Sequence, residues 1–348
     1  MESNKQMSLF SDEFTSSSIV NTKSLEKEDS TLVSENIKDA FNTMDVPYIG
    51  CDYEASYPKI AALLPKETYT FNEFNTETAI RCEIICAAIC HQMNWDFLRR
   101  AVYEETIKNP EWLDFYHLKL VDTDKIFSLL HEYHKQENIK ANERAELLHI
   151  IGAWGERYDS IKDAFVDKKG DLRQYRQIHD SLLKCSVFAT DPAEKKLNLL
   201  LQKLDGIELL KGIANYAKPT IDYHLIRLYL RRGLLIVRTK HALHYITNQE
   251  AERKESTVAA IRELCSKILC QISAYTNLNI SAVNTLEWNI ARSVCHRENP
   301  DCELKGKEGE WLKKEYCKCP FYESCSARVF EIDQLLKLKE PLYKGTSY

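Results

Sequence analysis

Glycine and proline are scarce in this chain. Ten glycines and nine prolines in 348 residues leave long stretches with neither, which argues against a turn-rich β architecture and for helices. No run of eighteen apolar residues exists, so no membrane-spanning helix and no membrane partner are expected. A signal-peptide pattern is also missing. Most cysteines outside the last sixty residues lie in apolar helical patterns, so disulfides are not expected. The expected setting is a reducing compartment, the cytoplasm or a nucleus. Nor is there an excess of positive charge: the net charge is −5. The deficit is local, because residues 1–60 hold eleven acids against five lysines, while Lys218 to Lys254 holds eight bases against three acids. Such a basic stripe is compatible with phosphates and equally with a solvated helix face.

This length makes one large or two ordinary domains. Residues 1–36 are rich in Ser, Glu, Asp, Lys and Asn and read as a disordered or loosely attached acidic tail. A helical body is expected over 37–330, followed by a C-terminal tail over 331–348. Apolar spacing predicts helices over Thr78–Arg100, Asp122–Tyr133, Ala141–Tyr158, Ala193–Leu204, Thr220–Arg232, Ser256–Tyr275 and Ser281–Val294. Serine is the expected N-cap of the last two. Period-two alternation and internal repeats are not evident, so the expected fold class is all-α.

Five of the twelve cysteines fall between Cys295 and Cys325, among Lys, Glu, Asn, Pro and Asp. Thiols on a polar loop are not explained by packing, and ligation is the natural reading. Cys295, Cys302, Cys319 and Cys325 form the favoured quartet, with Cys317 as the spare; a slip of two residues would exchange Cys317 for Cys319. Four thiolates suit a [4Fe–4S] cubane, one cysteine per iron, and four-cysteine zinc is the alternative.

The cysteine spacing resembles the iron–sulfur loop of the endonuclease III family, C-x6-C-x2-C-x5-C. Both outer steps match, while sixteen residues, Glu303 to Lys318, occupy the usual two-residue gap. A second likeness lies in Lys218-Pro-Thr-Ile-Asp-Tyr-His-Leu-Ile-Arg-Leu-Tyr-Leu-Arg-Arg-Gly233. It resembles the stretch after the hairpin in helix–hairpin–helix DNA glycosylases, P-x-x-V-D-T-H-V-x-R-x-x-x-R-L-G. The resemblance makes Asp222 the catalytic carboxylate and sets Arg227 and Arg231 where the family's arginines stand, as substrate contacts. Chemically, a carboxylate beside a sugar that develops oxocarbenium charge stabilises that charge or activates water. Helix capping is the alternative role for Asp222. Leu286 to Cys295 resembles the helix leading into the cluster. Glu83 to Trp95 resembles an early family helix whose end lines the interdomain cleft. There Gln92 is expected to meet a base edge and Trp95 to stack on a base, the alternative for Trp95 being the core.

The hairpin departs from its pattern, L-P-G-[IV]-G-x-[KR]-T-A. In Leu204 to Gly212, Gly206 matches, Glu208 replaces the second glycine, and Leu210 stands where bifunctional members carry the Schiff-base lysine. Lys211, a weak catalytic candidate, is one residue away and turned by about 100° on a helix. Asp191 to Lys196 reads as a solvated helix start or, alternatively, a substrate loop.

The resemblance thus implies a two-lobed helix–hairpin–helix glycosylase-like fold with a C-terminal [4Fe–4S] cluster loop over 295–325. The central lobe is expected over about 78–235, and the second lobe over 37–77 plus 236–294. The implied function is hydrolysis releasing a damaged or modified base from DNA, as in base-excision repair, without strand cleavage. Two alternatives stand beside it: an N-glycosidase on a modified nucleotide, nucleoside or RNA base, and a non-catalytic nucleic-acid-binding iron–sulfur protein. No oligomeric state follows from the sequence.

Overall fold

The computed structural model describes residues 40–43, 53–66, 69–191, 193–238, 240–250, 252–329 and 336–343. The expected acidic tail over 1–36 lies outside the described residues. A short strand, β1 (Phe41–Thr43), and α1 (Tyr53–Ala62) precede the long helical run. Then come α2 (Thr76–Ile89), α3 (Trp95–Lys108), α4 (Phe115–Leu118), α5 (Thr123–Leu130), α6 (Ala141–Gly155), α7 (Tyr175–Leu182), α8 (Ser186–Ala189) and α9 (Lys195–Leu204). After a turn follow α10 (Tyr223–Arg232), β2 (Leu235–Val237), α11 (Lys240–Thr247), α12 (Glu255–Thr276), α13 (Ile280–Ser293) and α14 (Ser326–Val329). The chain is mostly helical, in keeping with the all-α expectation. Its two strands form one antiparallel pair, Phe41 opposite Val237. Among the described residues no helix is long and apolar enough to cross a membrane.

Local chemistry explains the corrections to the expected helices. The single helix over Thr78–Arg100 is two. Gln92 takes a left-handed backbone (φ 53°), and Asn94 Oδ1 accepts the Phe97 amide at 3.0 Å, starting α3 afresh. Serine does not cap α12 or α13. Lys254 precedes α12 without a side-chain bond, and Asn279 Oδ1 accepts the Ala282 amide at 2.7 Å.

Two hydrophobic cores organise the helices. The first gathers residues from Phe71 to Ala217, with α2 buried nearly all round at its centre. Its C-terminal carbonyls meet buried cations: Lys196 Nζ donates to Ala88 O at 2.8 Å, and Arg144 Nε to Ile89 O at 3.1 Å, matching the negative end of the helix dipole. The second core joins β1 and α1 to residues 221–321. The division therefore differs from the expected 78–235. Leu225, Ile226, Leu228, Tyr229 and Leu230 bury α10 in the second core, so the chain changes lobes at 218–220. Of the C-terminal tail expected over 331–348, residues 336–343 are described, and there Glu340 is buried.

Candidate functional site

The cysteine loop leaves α13 and returns to α10. Val294 O accepts the Asp301 amide at 2.7 Å, and Leu304, Leu312 and Phe321 anchor the loop in the second core. The sixteen residues between Cys302 and Cys319 are looped out. Cys319 N donates to Cys302 O at 2.8 Å, so these two cysteines are backbone neighbours despite the distance in sequence. At the far end, the Cys325 thiol reaches Arg231 O at 3.5 Å, and Ser326 Oγ donates to Arg232 O at 2.9 Å. Gly233 makes this approach possible. It ends α10 in a left-handed turn (φ 73°), and a Cβ there would meet Ser326 Oγ at 2.3 Å.

The thiols of Cys295, Cys302, Cys319 and Cys325 influence one another electrostatically. Burial pushes the Cys319 thiol far above its ordinary range, and the thiols of Cys302, Cys325 and Cys295 push it further. Burial takes Cys325 up to about 11, with Cys295 and Cys302 adding to the rise. Cys317 is exposed. Two guanidinium groups lie by these thiols: Arg231 Nη1 lies 3.5 Å from Cys295 Sγ, and Arg328 pulls the Cys302 thiol down against its burial. Such donors offset the negative charge of a thiolate-bound metal group. Among the described residues, no three His, Cys, Asp or Glu side chains are close enough to hold a single metal ion. By their chemistry, Cys295, Cys302, Cys319 and Cys325 are the side chains that could hold a cluster through one thiolate per iron.

Arg227 and Arg231 were expected to face substrate, and the structure corrects this. Both are fully buried. Arg227 donates to Cys295 O at 2.9 Å and Ala291 O at 3.1 Å, and pairs with Glu340 at 2.9 Å. Arg231 donates to Leu338 O at 3.0 Å, His296 O at 2.5 Å and Arg297 O at 2.7 Å. Their apolar neighbours and carbonyl acceptors make them struts that fix the cysteine loop and the C-terminal segment to α10. Nothing of their donor capacity is left facing solvent.

Asp222 stands where the chain crosses between lobes, and it caps α10. Oδ1 accepts the Leu225 amide at 3.1 Å and Oδ2 accepts the Trp288 indole N–H at 2.9 Å. The approach is pinned by Asn284, whose Oδ1 accepts the Thr220 amide at 2.6 Å. Burial raises the Asp222 carboxyl, but His224, Lys195 and the two N–H donors outweigh it and hold the group below its ordinary range. Burial takes the neighbouring His224 imidazole down to about 4, with Asp222 opposing and Arg227 adding to the fall. The site is therefore a buried carboxylate that caps α10 and takes two N–H donors, next to a partly buried imidazole.

The other expected residues lie on other elements. Gly206 is exposed and belongs to a turn closed by Asp205, whose Oδ1 accepts the amides of Gly212 at 2.8 Å and Ala214 at 3.1 Å. The residues after it form 3₁₀ turns, Glu208–Leu210 and Ile213–Tyr216, rather than an α-helix. Leu210 is fully buried in the first core and Lys211 is exposed. Trp95 is half-buried against the first core, its ring lying between Lys203 at 5.3 Å and Arg99 at 5.5 Å. Gln92 is half-buried in the turn before it. Trp288, Asn284 and Lys195 were not singled out by sequence reasoning. Trp288 and Asn284 lay in or beside a recognised segment, but their bonds to the crossing chain span more than sixty residues. Comparison with models of known protein families and with curated proteins finds no match.

Proposed function

We propose that this chain has a helix–hairpin–helix glycosylase-like, two-lobed fold, that it cleaves an N-glycosidic bond to release a modified base from DNA, and that Asp222 is the central carboxylate. One observation carries the reading: a carboxylate that stays ionised while buried at the crossing between two lobes. An ion held in place by fixed N–H donors, and shielded from water, is suited to stabilising positive charge on a sugar ring. The four thiols support the same reading. Cys295, Cys302, Cys319 and Cys325 would hold a [4Fe–4S] cluster. Bound there, the cluster supplies a structural cross-link. Arg227, Arg231 and Glu340 do the rest, tying its loop to the helix that Asp222 caps.

A second reading, N-glycosidase action on a modified nucleotide or nucleoside, is favoured by the hairpin. Asp205 already takes the Gly212 and Ala214 amides, and Arg227 and Arg231 point inward, so duplex-gripping donors are fewer than the sequence suggested. The test is a panel of oligonucleotides and free nucleosides bearing modified bases, run with wild type and Asp222→Asn. Asn keeps the capping oxygen but leaves the Trp288 N–H without its acceptor, so the melting temperature should fall by a few degrees while turnover falls by about 10² or more. Equal turnover by the two proteins would reduce Asp222 to a cap.

A further inference from the structure

Helix α13 reads the chain that crosses between the lobes. Asn284, Trp288 and Arg292 follow at four-residue steps, so their side chains stack along one face. Asn284 Oδ1 accepts the Thr220 amide at 2.6 Å, and its Nδ2 donates to Thr220 O at 3.3 Å. One turn on, the Trp288 indole N–H donates to Asp222 Oδ2 at 2.9 Å. A further turn on, the Arg292 guanidinium lies over the Trp288 ring, 5.1 Å from its centroid. Arg292 Nη2 pairs in turn with Asp96 Oδ2 at 2.9 Å. Asp96 stands in the first turn of α3, whose buried residues Leu98, Ala101 and Val102 belong to the first core. Asp96, Arg292, Trp288 and Asp222 thus form an unbroken line of contacts from one lobe to the lobe crossing.

Capping alone needs one bond. The Leu225 amide fixes Oδ1, but the last torsion of an aspartate is soft and leaves the plane of the carboxylate free to turn. A second donor, on Oδ2, removes that freedom. An indole has one donor and no acceptor, so this bond is made in one sense only. We infer that Trp288 is a positioning residue for Asp222, and that Asp96 acts on the same carboxylate from the opposite lobe by holding Arg292 over the indole. This rests on the reading of Asp222 as the reacting carboxylate. A surface ion pair such as Asp96–Arg292 contributes little to stability by itself. Its place in the line gives it another effect: the set of the carboxylate depends on how the two lobes sit.

The experiment has a spectroscopic arm and a kinetic arm, both on the full chain. Heteronuclear NMR of protein made with isotope-labelled tryptophan gives five indole N–H signals, one per tryptophan. The signal lost in Trp288→Phe is that of Trp288; if that variant does not fold, the signal displaced by Asp222→Asn identifies it. It should shift in Arg292→Gln and in Asp96→Asn, while Asp96→Glu, which keeps the charge, leaves it close to wild type. The kinetic arm uses the modified-base panel. Trp288→Phe should lower turnover about tenfold, the effect of one lost donor to a charged group. Asp96→Asn and Arg292→Gln should each lower it about twofold to fivefold, with the melting temperature within about 2 °C of wild type, and Asp96→Glu should restore it. A Trp288 signal unmoved in both Asp96→Asn and Arg292→Gln overturns the inference and leaves Asp222 standing. So does turnover by Trp288→Phe equal to wild type where Asp222→Asn is impaired. Turnover by Asp222→Asn equal to wild type, or none by wild type on any member of the panel, removes the functional reading and this inference together.

Discussion

Glu340→Gln isolates the question of what the two family-position arginines do. The sequence likeness puts Arg227 on substrate, whereas the structure pairs it with Glu340 at 2.9 Å, both side chains being buried. Glu340 also meets Arg297 at 3.1 Å, and its own carbonyl accepts Gln249 Nε2 at 2.9 Å. Replacing the carboxylate by an amide keeps the shape and leaves the Arg227 charge uncompensated in the interior, a change that costs about 3–5 kcal/mol in buried pairs. At about 2–4 °C per kcal/mol for a large domain, the melting temperature should fall by roughly 10 °C. Differential scanning fluorimetry reads this directly. Removing both charges, Glu340→Gln with Arg227→Met, should recover much of the loss, because a buried pair replaced by neutral groups is often tolerated. The reasoning fails if Glu340→Gln melts like wild type while Arg227→Met loses only nucleic-acid binding. That pattern would return Arg227 to the substrate.

Protein purified without oxygen should be brown and contain iron with acid-labile sulfide. Cys302→Ser and Cys325→Ser should lose the chromophore and Cys317→Ser keep it, and stoichiometric zinc without iron would overturn the assignment. Product strands should break only after alkali, because Leu210 is buried and Lys211 is exposed on the turn closed by Asp205. A borohydride-trapped adduct that vanishes in Lys211→Gln would show the opposite. Acid should destabilise the fold through its neutral histidines. The His224 and His91 imidazoles lie at about 4 and about 2 in the fold, so the unfolded chain binds their protons first. Stability is full above the unfolded value of about 6.5 and declines as pH falls from there toward the folded values. Urea midpoints between pH 7 and pH 4, chosen to span that window, check this. His224→Gln should flatten the upper part of the decline.

The sequence by itself determined the secondary-structure class and set apart five cysteines on a polar stretch, because both are local signals. Scarce glycine and proline, with apolar residues at helical spacing, leave little choice but helices. Cysteines on a polar stretch point to ligation whatever surrounds them. The capping position of Asp222 was equally legible, since an N-cap bond reaches only three residues ahead. The break inside Thr78–Arg100 was also written locally, in Asn94, but the continuous apolar pattern masked it. Tertiary structure alone decided the direction of Arg227 and Arg231. A guanidinium at a given helical position reads the same from sequence whether it meets a phosphate or the carbonyls of residues over sixty positions away. It also decided that the sixteen residues between Cys302 and Cys319 loop out, with Cys319 N bonded to Cys302 O and Leu304 and Leu312 seated in the second core. The pairing of Trp288 with Asp222 arises where two hydrophobic cores meet. That boundary is a property of packing between distant segments, and no window of sequence contains it.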